Sequence, residues 1–376
     1  QDVQLAYSLY QAKRVARAVP PDFVQREMDE CLQRLTMEGP ELSDLELRLE
    51  QQVRRTVTEV VGYAQHAGVS LHATNPIPTF SACWENPRSK GGSFARLIPL
   101  RTVSSSLGFP FLVGFVGLRV DGGSRPLPLY IPDDPEDTRV WLNPPLGSVD
   151  RIRVRREAIL EPFKVRVVSM GESEAYQRAR RWQKALWGML QCCGSFRLTG
   201  KPVTQEDVAD ICWVPRETRT HCVMVSGDYT AATDYLNPLL SEAALDEFCR
   251  LLRVPVEERW ILFRALTGHS IDGRSDQTWG QLMGSPISFP ILCLVNAAVT
   301  RFAQEEAFSR PFSLDSSPLL VNGDDILFTL PPASYSRWGE LVQAAGLIPS
   351  VGKNYVSRQY AVLNSDVFFL PLDWDR

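Results

Sequence analysis

The chain has 376 residues, a formal net charge of −4 and 44% apolar residues. These values are ordinary for a globular protein with a large core, leave room for two or three domains or subdomains, and give no global sign of a nucleic-acid partner. Four histidines and eight cysteines without a CxxC pair argue against a zinc site and for reduced, mostly buried thiols in an intracellular protein.

In chain order, residues 22–35 read as a helix behind Pro20-Pro21. A second helix is expected over 41–63, where Leu42, Leu45, Leu49, Val53, Val57 and Val60 recur every three or four positions. Prolines and glycines break up 74–93, which reads as loop. Residues 108–148 read as short strands and irregular loops. An alternation of basic and apolar residues over 152–168 favours extended structure. A helix over 173–191 carries Arg178, Arg180, Arg181 and Lys184, with Trp182, Leu186, Trp187 and Leu190 turned inward. From 150 to 201 there are 12 Lys or Arg against 5 Asp or Glu, a local basic stripe suited to a polyanion in one groove.

The pattern changes after about residue 215. Cys222–Val225 is a short β run ending at Ser226-Gly227-Asp228. Ser241 opens a helix with Ala244, Leu245, Phe248, Leu251 and Leu252 on one face. Residues 287–301 read as a buried helix. A hairpin over 318–330, a helix near 335–345 and an extended run over 360–370 follow. The longest apolar stretch, Phe289 to Val299, is about half of a membrane span and contains Asn296. The start at Gln1 reads as that of a fragment or a processed product.

Inside the hairpin, Asp324 and Asp325 interrupt Leu-Leu-Val-Asn-Gly-Asp-Asp-Ile-Leu-Phe. Asn322-Gly323 is a strong type I′ signal, so a plain hairpin with solvated acids is one reading. The other is a site for a hard divalent cation, which needs a further acid from a neighbouring strand. Asp228, at the end of a β run, supplies it, with Asp234 six residues on. Alone, Asp228 could equally be a helix N-cap. Gly280 to Pro290 carries Gly284, Ser285 and Ser288 at the mouth of an apolar helix, a loop able to offer amides to a nucleic-acid backbone. Lys164 and Arg166 share one face of an extended chain and could clamp a triphosphate, or simply be solvated.

In this order the segments resemble the motifs of viral RNA-dependent RNA polymerases. Glu161–Arg166 resembles the basic finger motif, Asp228 to Asp234 the palm motif with the first metal-binding acid, and Gly284-Ser285 the template loop. Gly323-Asp324-Asp325 resembles the palm hairpin, and Gly352-Lys353 the motif whose lysine protonates pyrophosphate. In wording the chain is most similar to ourmiavirus-like (botourmiavirus) and narnavirus polymerases. The phrases are Ser-Gly-Asp-Tyr-Thr-Ala-Ala-Thr-Asp, Gln-Leu-Met-Gly-Ser, Ser-Phe-Pro-Ile-Leu-Cys-Leu-Val-Asn-Ala, the run 197–203 and Asn364-Ser365. The resemblance covers about residues 80 to 370.

It implies an α+β right-hand polymerase, with helical and irregular fingers and a palm of antiparallel strands on helices. Residues 1–215 would hold the N-terminal region and fingers, and 216–376 the palm, with part of the fingers between 240 and 280. Little chain remains for a thumb, which would be absent or reduced. The implied activity is RNA-directed RNA synthesis from NTPs with Mg²⁺, or Mn²⁺ in its place. Asp228, Asp324 and Asp325 would hold metal, and Lys353 would act as general acid. Lys164, Arg166, Asp234, Ser288 and Asn296 would contact the NTP. Many positive-strand polymerases place an Asn eight residues beyond the loop glycine; here that position is Leu292 and Asn296 lies one turn further, so Ser288 is the better candidate. Gly284, Ser285, Gly91, Gly92, Arg153 and Arg155 would contact template RNA. Partners would be template, nascent RNA and NTPs, with a second viral polypeptide as a source of missing parts. The host cytoplasm, or the mitochondrion, is the implied compartment. A reverse transcriptase, a non-catalytic palm-like RNA-binding protein and an unrelated α/β enzyme with a plain hairpin are the rival readings.

Overall fold

The computed structural model describes residues 19–97, 150–161, 164–214, 221–364, 366–372 and 374, together with four two-residue strands between 115 and 128. Those four strands, Phe115–Val116 paired with Leu127–Pro128 and Arg119–Val120 with Gly123–Ser124, are what is described of the short strands expected over 108–148. Pro162, Phe163, Ser365 and the expected domain boundary at 215 lie outside the described residues.

Two helices open the described chain, α1 (Pro21–Leu35) and α2 (Asp44–His66). Ser43 caps α2 in a capping box with Glu46, so the helix begins later than its apolar periodicity suggested. Leu42 falls outside it and is exposed rather than part of the buried face. Residues 74–93 are not all loop. A 3₁₀ turn (Arg88–Lys90) leads into the short helix α3 (Gly92–Leu97).

A first sheet follows, built on β1 (Ile152–Glu161) and β2 (Lys164–Gly171), an antiparallel pair in register from Val154↔Gly171 to Glu161↔Lys164. Then come α4 (Ser173–Gln191) and the short helix α5 (Gln205–Asp210). Trp182, Leu186 and Leu190 of α4 are buried, whereas Trp187 is half-buried and stacks on Phe289.

The second sheet is the centre of the molecule. Its strand β3 (Val223–Gly227) is buried throughout and leads to β4 (Tyr229–Thr230) and one turn of helix, α6 (Ala232–Tyr235). Next are α7 (Pro238–Leu251), α8 (Val256–Thr267), β5 (His269–Ile271) and β6 (Ser275–Asp276). The start of α7 differs from the sequence expectation. Asn237 is the N-cap, accepting from Leu239 N, with Pro238 in the first turn. Ser241 lies inside the helix, its hydroxyl donating back to Asn237 O.

Helix α9 (Ser288–Phe308) is apolar nearly all round, as a central helix must be. It is followed by β7 (Leu319–Asn322), β8 (Asp325–Leu330), α10 (Tyr335–Ala344), β9 (Ile348–Pro349), β10 (Tyr355–Ser357), β11 (Tyr360–Leu363) and β12 (Asp366–Phe369). The strand order is β7-β8-β3-β10 in the central sheet, all antiparallel, and β6-β5-β1-β2 in the first, where β5 and β1 run parallel. Helix α2 joins α7, α9 and the central sheet in one apolar core. This is the mixed α+β architecture expected from the sequence. No helix among the described residues is long and apolar enough to cross a membrane.

Candidate active site

The hairpin β7–β8 explains how two acids come to interrupt an apolar run. Leu319 to Val321 and Ile326 to Leu330 are buried on the two strands. Each large apolar side chain among them contributes roughly 1.5–3 kcal/mol, ample against the cost of carboxylates at one end. The register Asn322↔Asp325 leaves Gly323-Asp324 as the two-residue turn. Of these two, only Gly323 has positive φ, at +74°. That is the pattern of a type II′ turn, so the type I′ reading centred on Asn322-Gly323 is corrected by one position. A Cβ on Gly323 would also stand 2.9 Å from the Phe289 ring.

Helix α9 bolts this turn in place. Gly323 N donates to Cys293 Sγ at 3.2 Å, and Asn296 Nδ2 donates to Gly323 O at 3.1 Å. The other end of the Asn296 amide accepts from Tyr229 OH at 2.9 Å. Asn296 is thus fully buried, with its amide spanning the two segments that carry the acids. Asn322 Nδ2 donates to Asn364 Oδ1 at 3.0 Å, so Asn364 also touches the hairpin.

Strand β8 pairs with β3 through Ile326↔Gly227, which sets Asp228 beside the two hairpin acids. Asn354 brackets the Asp228 backbone, accepting from its N–H at 3.2 Å and donating to its carbonyl at 3.1 Å. Lys353 Nζ lies 3.0 Å from Asp228 Oδ2. Burial, then the charges of Asp324 and Asp228, push the Asp325 carboxyl up to about 6, with Lys353 opposing. Asp324 stands exposed at the tip, yet enough protein surrounds it that desolvation raises its carboxyl, with Asp228 adding and Lys164 and Arg166 opposing.

Lys164 and Arg166 are both exposed on β2, with Val165 buried between them, the alternation read from the sequence. Arg166 Nε also donates to Glu161 Oε1 at 2.7 Å. Asp234, on α6, is buried and ion-paired with Arg34 of α1 at 3.1 Å. Ser288 is buried, its hydroxyl donating to Gln281 Oε1 at 2.6 Å. Gly284 is exposed at φ +117°, where a Cβ would meet Ser169 O at 2.2 Å, so the loop leans on β2. Ser285 is buried, with its hydroxyl on Ala265 O. Gly91 and Gly92 are buried too, and a Cβ on Gly92 would strike Ser81 O at 2.0 Å.

The basic stripe is largely matched within the chain. Arg153 Nε donates to Glu172 at 2.6 Å, Arg151 pairs with Asp276 at 3.1 Å and Arg156 with Asp272 at 2.8 Å. Arg155 lies 3.8 Å from Glu157. The structure therefore brings Asp228, Asp324, Asp325 and Lys353 together, with Lys164 and Arg166 near enough for their charges to act on Asp324, and with Asp234, Ser288 and Asn296 in adjoining segments. Sequence reasoning missed Asn354, Cys293, Gln281 and Arg34. Asn354 had a signal in its position directly after Gly352-Lys353, and Gln281 and Cys293 in the quoted phrases that contain them, whereas Arg34 had none.

Among the described residues, no group of three or more His, Cys, Asp or Glu side chains forms a ready chelate. The donor chemistry of the three aspartates nevertheless suits a hard divalent cation, since they offer only carboxylate oxygens and Asp228 already carries an ammonium. None of the eight cysteines is in a disulfide.

No family model matches the chain. It is 39% identical, over 398 aligned residues, to a protein named RNA-dependent RNA polymerase from Ourmia melon virus (isolate Melon/Iran/VE9). The alignment takes in 98% of this chain and 45% of that relative, so the chain spans less than half the relative's length. Among solved structures it is similar to the RNA-dependent RNA polymerase of a human picorbirnavirus. The match has a TM-score of 0.55 and 15% identity, over 96% of this chain and 65% of that one. An insertion-loop deletion mutant of that enzyme matches with a TM-score of 0.56 and 15% identity, over 98% and 68%. The sequence match bears out the resemblance carried by the motifs, and the structural matches bear out the fold.

Proposed function

Because this chain is a sequence relative of an ourmiavirus RNA-dependent RNA polymerase and has the fold of such enzymes, we propose that it is the fingers–palm portion of an RNA-directed RNA polymerase. The observation that carries the reading is the meeting of Asp228, Asp324 and Asp325 on neighbouring strands with Lys164, Arg166 and Lys353 around them. Residues 1–215 would form the N-terminal and fingers region and 216–376 the palm.

Asp228 and Asp324 would hold Mg²⁺ or Mn²⁺, with Asp325 as the weaker ligand. When bound, the ions lower the pKa of a primer 3′-hydroxyl and screen the phosphates. The chain's own residues do the rest. Lys164 and Arg166 neutralise the triphosphate from the finger strand. Lys353 leaves Asp228 to donate a proton to departing pyrophosphate. Asp234 faces the ribose, supported by the segment holding Ser288 and Asn296, and a 2′-hydroxyl is what an acceptor there distinguishes. Gly284 and Ser285 at the loop, Gly91 and Gly92, and the arginines Arg153 and Arg155 would lie along the template path. Template, nascent RNA and NTPs are the partners, the host cytoplasm the compartment, and a second viral polypeptide a source of further parts.

The test is primer extension on a short RNA template with NTPs and Mg²⁺, run beside Asp324→Asn. The parent extends, and the variant falls by at least about a thousandfold while melting no lower. Full activity in Asp324→Asn would falsify the assignment.

A further inference from the structure

We propose that Arg34, at the C-terminal end of α1, positions Asp234 and so sets how strictly the nucleotide site demands a ribose 2′-hydroxyl. The inference rests on the reading of Asp234 as the ribose contact.

Asp234 sits on a single turn of helix and is 8% exposed. Its Oδ2 accepts from Arg34 Nε at 3.1 Å and its Oδ1 from Thr233 Oγ1 at 3.2 Å. The Cys31 thiol, one turn before Arg34, also faces it. Arg34 is itself held: its NH1 is 3.7 Å from Glu30 Oε2, and its guanidinium lies over the Tyr235 ring at 5.7 Å. Two distant segments of sequence, α1 and the 233–235 turn, are thus joined by one buried ion pair.

The end of α1 also holds the loop on the other side of Asp234. Leu35 O accepts from Thr278 N at 3.0 Å and Trp279 N at 3.1 Å, and Met37 O from Thr278 Oγ1 at 2.8 Å. That loop presses back on the acid's own backbone. Gln281 N donates to Thr233 O at 2.7 Å, Trp279 Nε1 to Tyr235 O at 2.8 Å, and a Cβ on Gly280 would stand 2.2 Å from Asp234 O. Arg156 of β1 reaches Met28 O, so the same helix is tied to the finger sheet. The turn that carries the carboxylate is therefore held by the 278–281 loop, and the carboxylate itself by Arg34 and Thr233.

The chemistry of the pair gives Arg34 more than an anchoring role. A carboxylate this buried keeps its charge only with a cation beside it. Burial raises this carboxyl and Arg34 on Oδ2 opposes the rise, while Oδ1 keeps a lone pair for a hydroxyl donor beside the one that Thr233 uses. Without the guanidinium the acid would rotate, protonate, or both, and a protonated acid no longer selects for a donor. A site built to hydrogen-bond a hydroxyl discriminates strongly against the analogue that lacks it, and that discrimination depends on the acceptor's aim.

The experiment compares single-nucleotide extension with ATP and with 2′-dATP for the parent, Arg34→Gln, Arg34→Lys and Asp234→Asn, with melting temperatures alongside. The expected result is a fall of about tenfold in the ATP/2′-dATP ratio of kcat/KM for Arg34→Gln, mainly through the KM for ATP. Arg34→Lys restores part of the ratio, and the double variant with Asp234→Asn loses no more than Asp234→Asn alone. Equal losses on both nucleotides in Arg34→Gln, with Asp234→Asn still lowering the ratio, would make Arg34 a structural anchor and overturn the inference alone. An unchanged ratio in Asp234→Asn overturns the ribose reading and the inference with it. If Arg34→Gln does not fold, Arg34→Lys decides, an intermediate ratio supporting the proposal and the parental ratio overturning it. If the parent does not extend primers, the polymerase reading falls, and the same ratio is read from equilibrium binding of ATP and 2′-dATP.

Discussion

Two groups of carboxylates in this molecule are treated in opposite ways. Glu258 of α8 is buried among donors from α4: Arg181, Arg178 at 3.6 Å, and Trp182 Nε1 at 3.0 Å. Likewise, Glu59 of α2 receives the fully buried Arg301 at 2.7 Å and Arg55 at 3.1 Å. Among the described residues, no guanidinium forms an ion pair with the three aspartates at the hairpin. Asp228 meets the exposed Lys353, Asp325 faces the charges of Asp324 and Asp228, and Asp324 faces that of Asp228 with Lys164 and Arg166 opposing from a distance. Where acids serve the fold, each is matched. Where they crowd together unmatched, they store a repulsion that a cation relieves.

The sharpest way to break this comparison is to neutralise one acid of each kind. Asp324→Asn, with its loss of at least about a thousandfold in extension, has the largest expected effect and leaves stability level or higher, since it removes a repelled charge. Glu258→Gln should do the reverse. It leaves Arg178 and Arg181 without their carboxylate and costs about 3–5 kcal/mol of stability, while any activity of the folded protein survives. Denaturant melts with extension assays separate the two. Loss of activity without loss of stability in Glu258→Gln would dissolve the distinction.

Much of this was legible beforehand, and where it was not the reason is physical. The hairpin acids, Lys164 and Arg166 could be read because turn chemistry and two-residue alternation act locally, whereas Lys353 was reached through the resemblance alone. Helix α9 could be read from its unbroken apolar run. The start of α7 could not, because Ser241 and Asn237 are both good caps and only tertiary packing chose Asn237. The place of Asn296 could not either. The resemblance offered it as an NTP contact although its spacing favoured Ser288, and its partners, Tyr229 OH and Gly323 O, come from segments 67 and 27 residues away. Arg34 lies 200 residues from Asp234, and no local pattern points from one to the other. The basic stripe was visible as composition, yet its pairing with Glu172, Asp272 and Asp276 appears only once β1, β2, β5 and β6 are assembled.

His269 offers a third case, a buried base kept neutral. It is fully buried between Tyr176 OH at 3.1 Å and Gln277 Oε1 at 2.7 Å. Burial depresses its pKa from 6.5 to about 4, with the Gln277 hydrogen bond opposing. The unfolded chain takes up this proton near 6.5 and the folded chain only near 4. Stability is therefore lost as pH falls through that window and levels off below it. The shift corresponds to about 3 kcal/mol. Denaturant midpoints at pH 7 and pH 4.5 should show most of that loss, and His269→Gln should flatten it. An equal drop in the variant would place the acid sensitivity elsewhere.

The smallest effect is also the one that tests the unmatched acids most directly. Asp325 has its carboxyl raised from 3.8 to about 6, first by burial and then by Asp324 and Asp228. Here the folded state disfavours the charge, so the cost is fully present above pH 6, fades between pH 6 and 4, and is absent below. In buffer with a metal chelator, Asp325→Asn should thus stabilise the protein by about 1–2 kcal/mol at pH 7, after allowing for solvent screening at a half-buried group. The gain should vanish by pH 4. Added Mg²⁺ should shrink it at pH 7 by stabilising the parent more than the variant. A gain that persists at pH 4 would mean the aspartate is strained by packing rather than by charge, and the contrast with Glu258 would then rest on Asp228 and Asp324 alone.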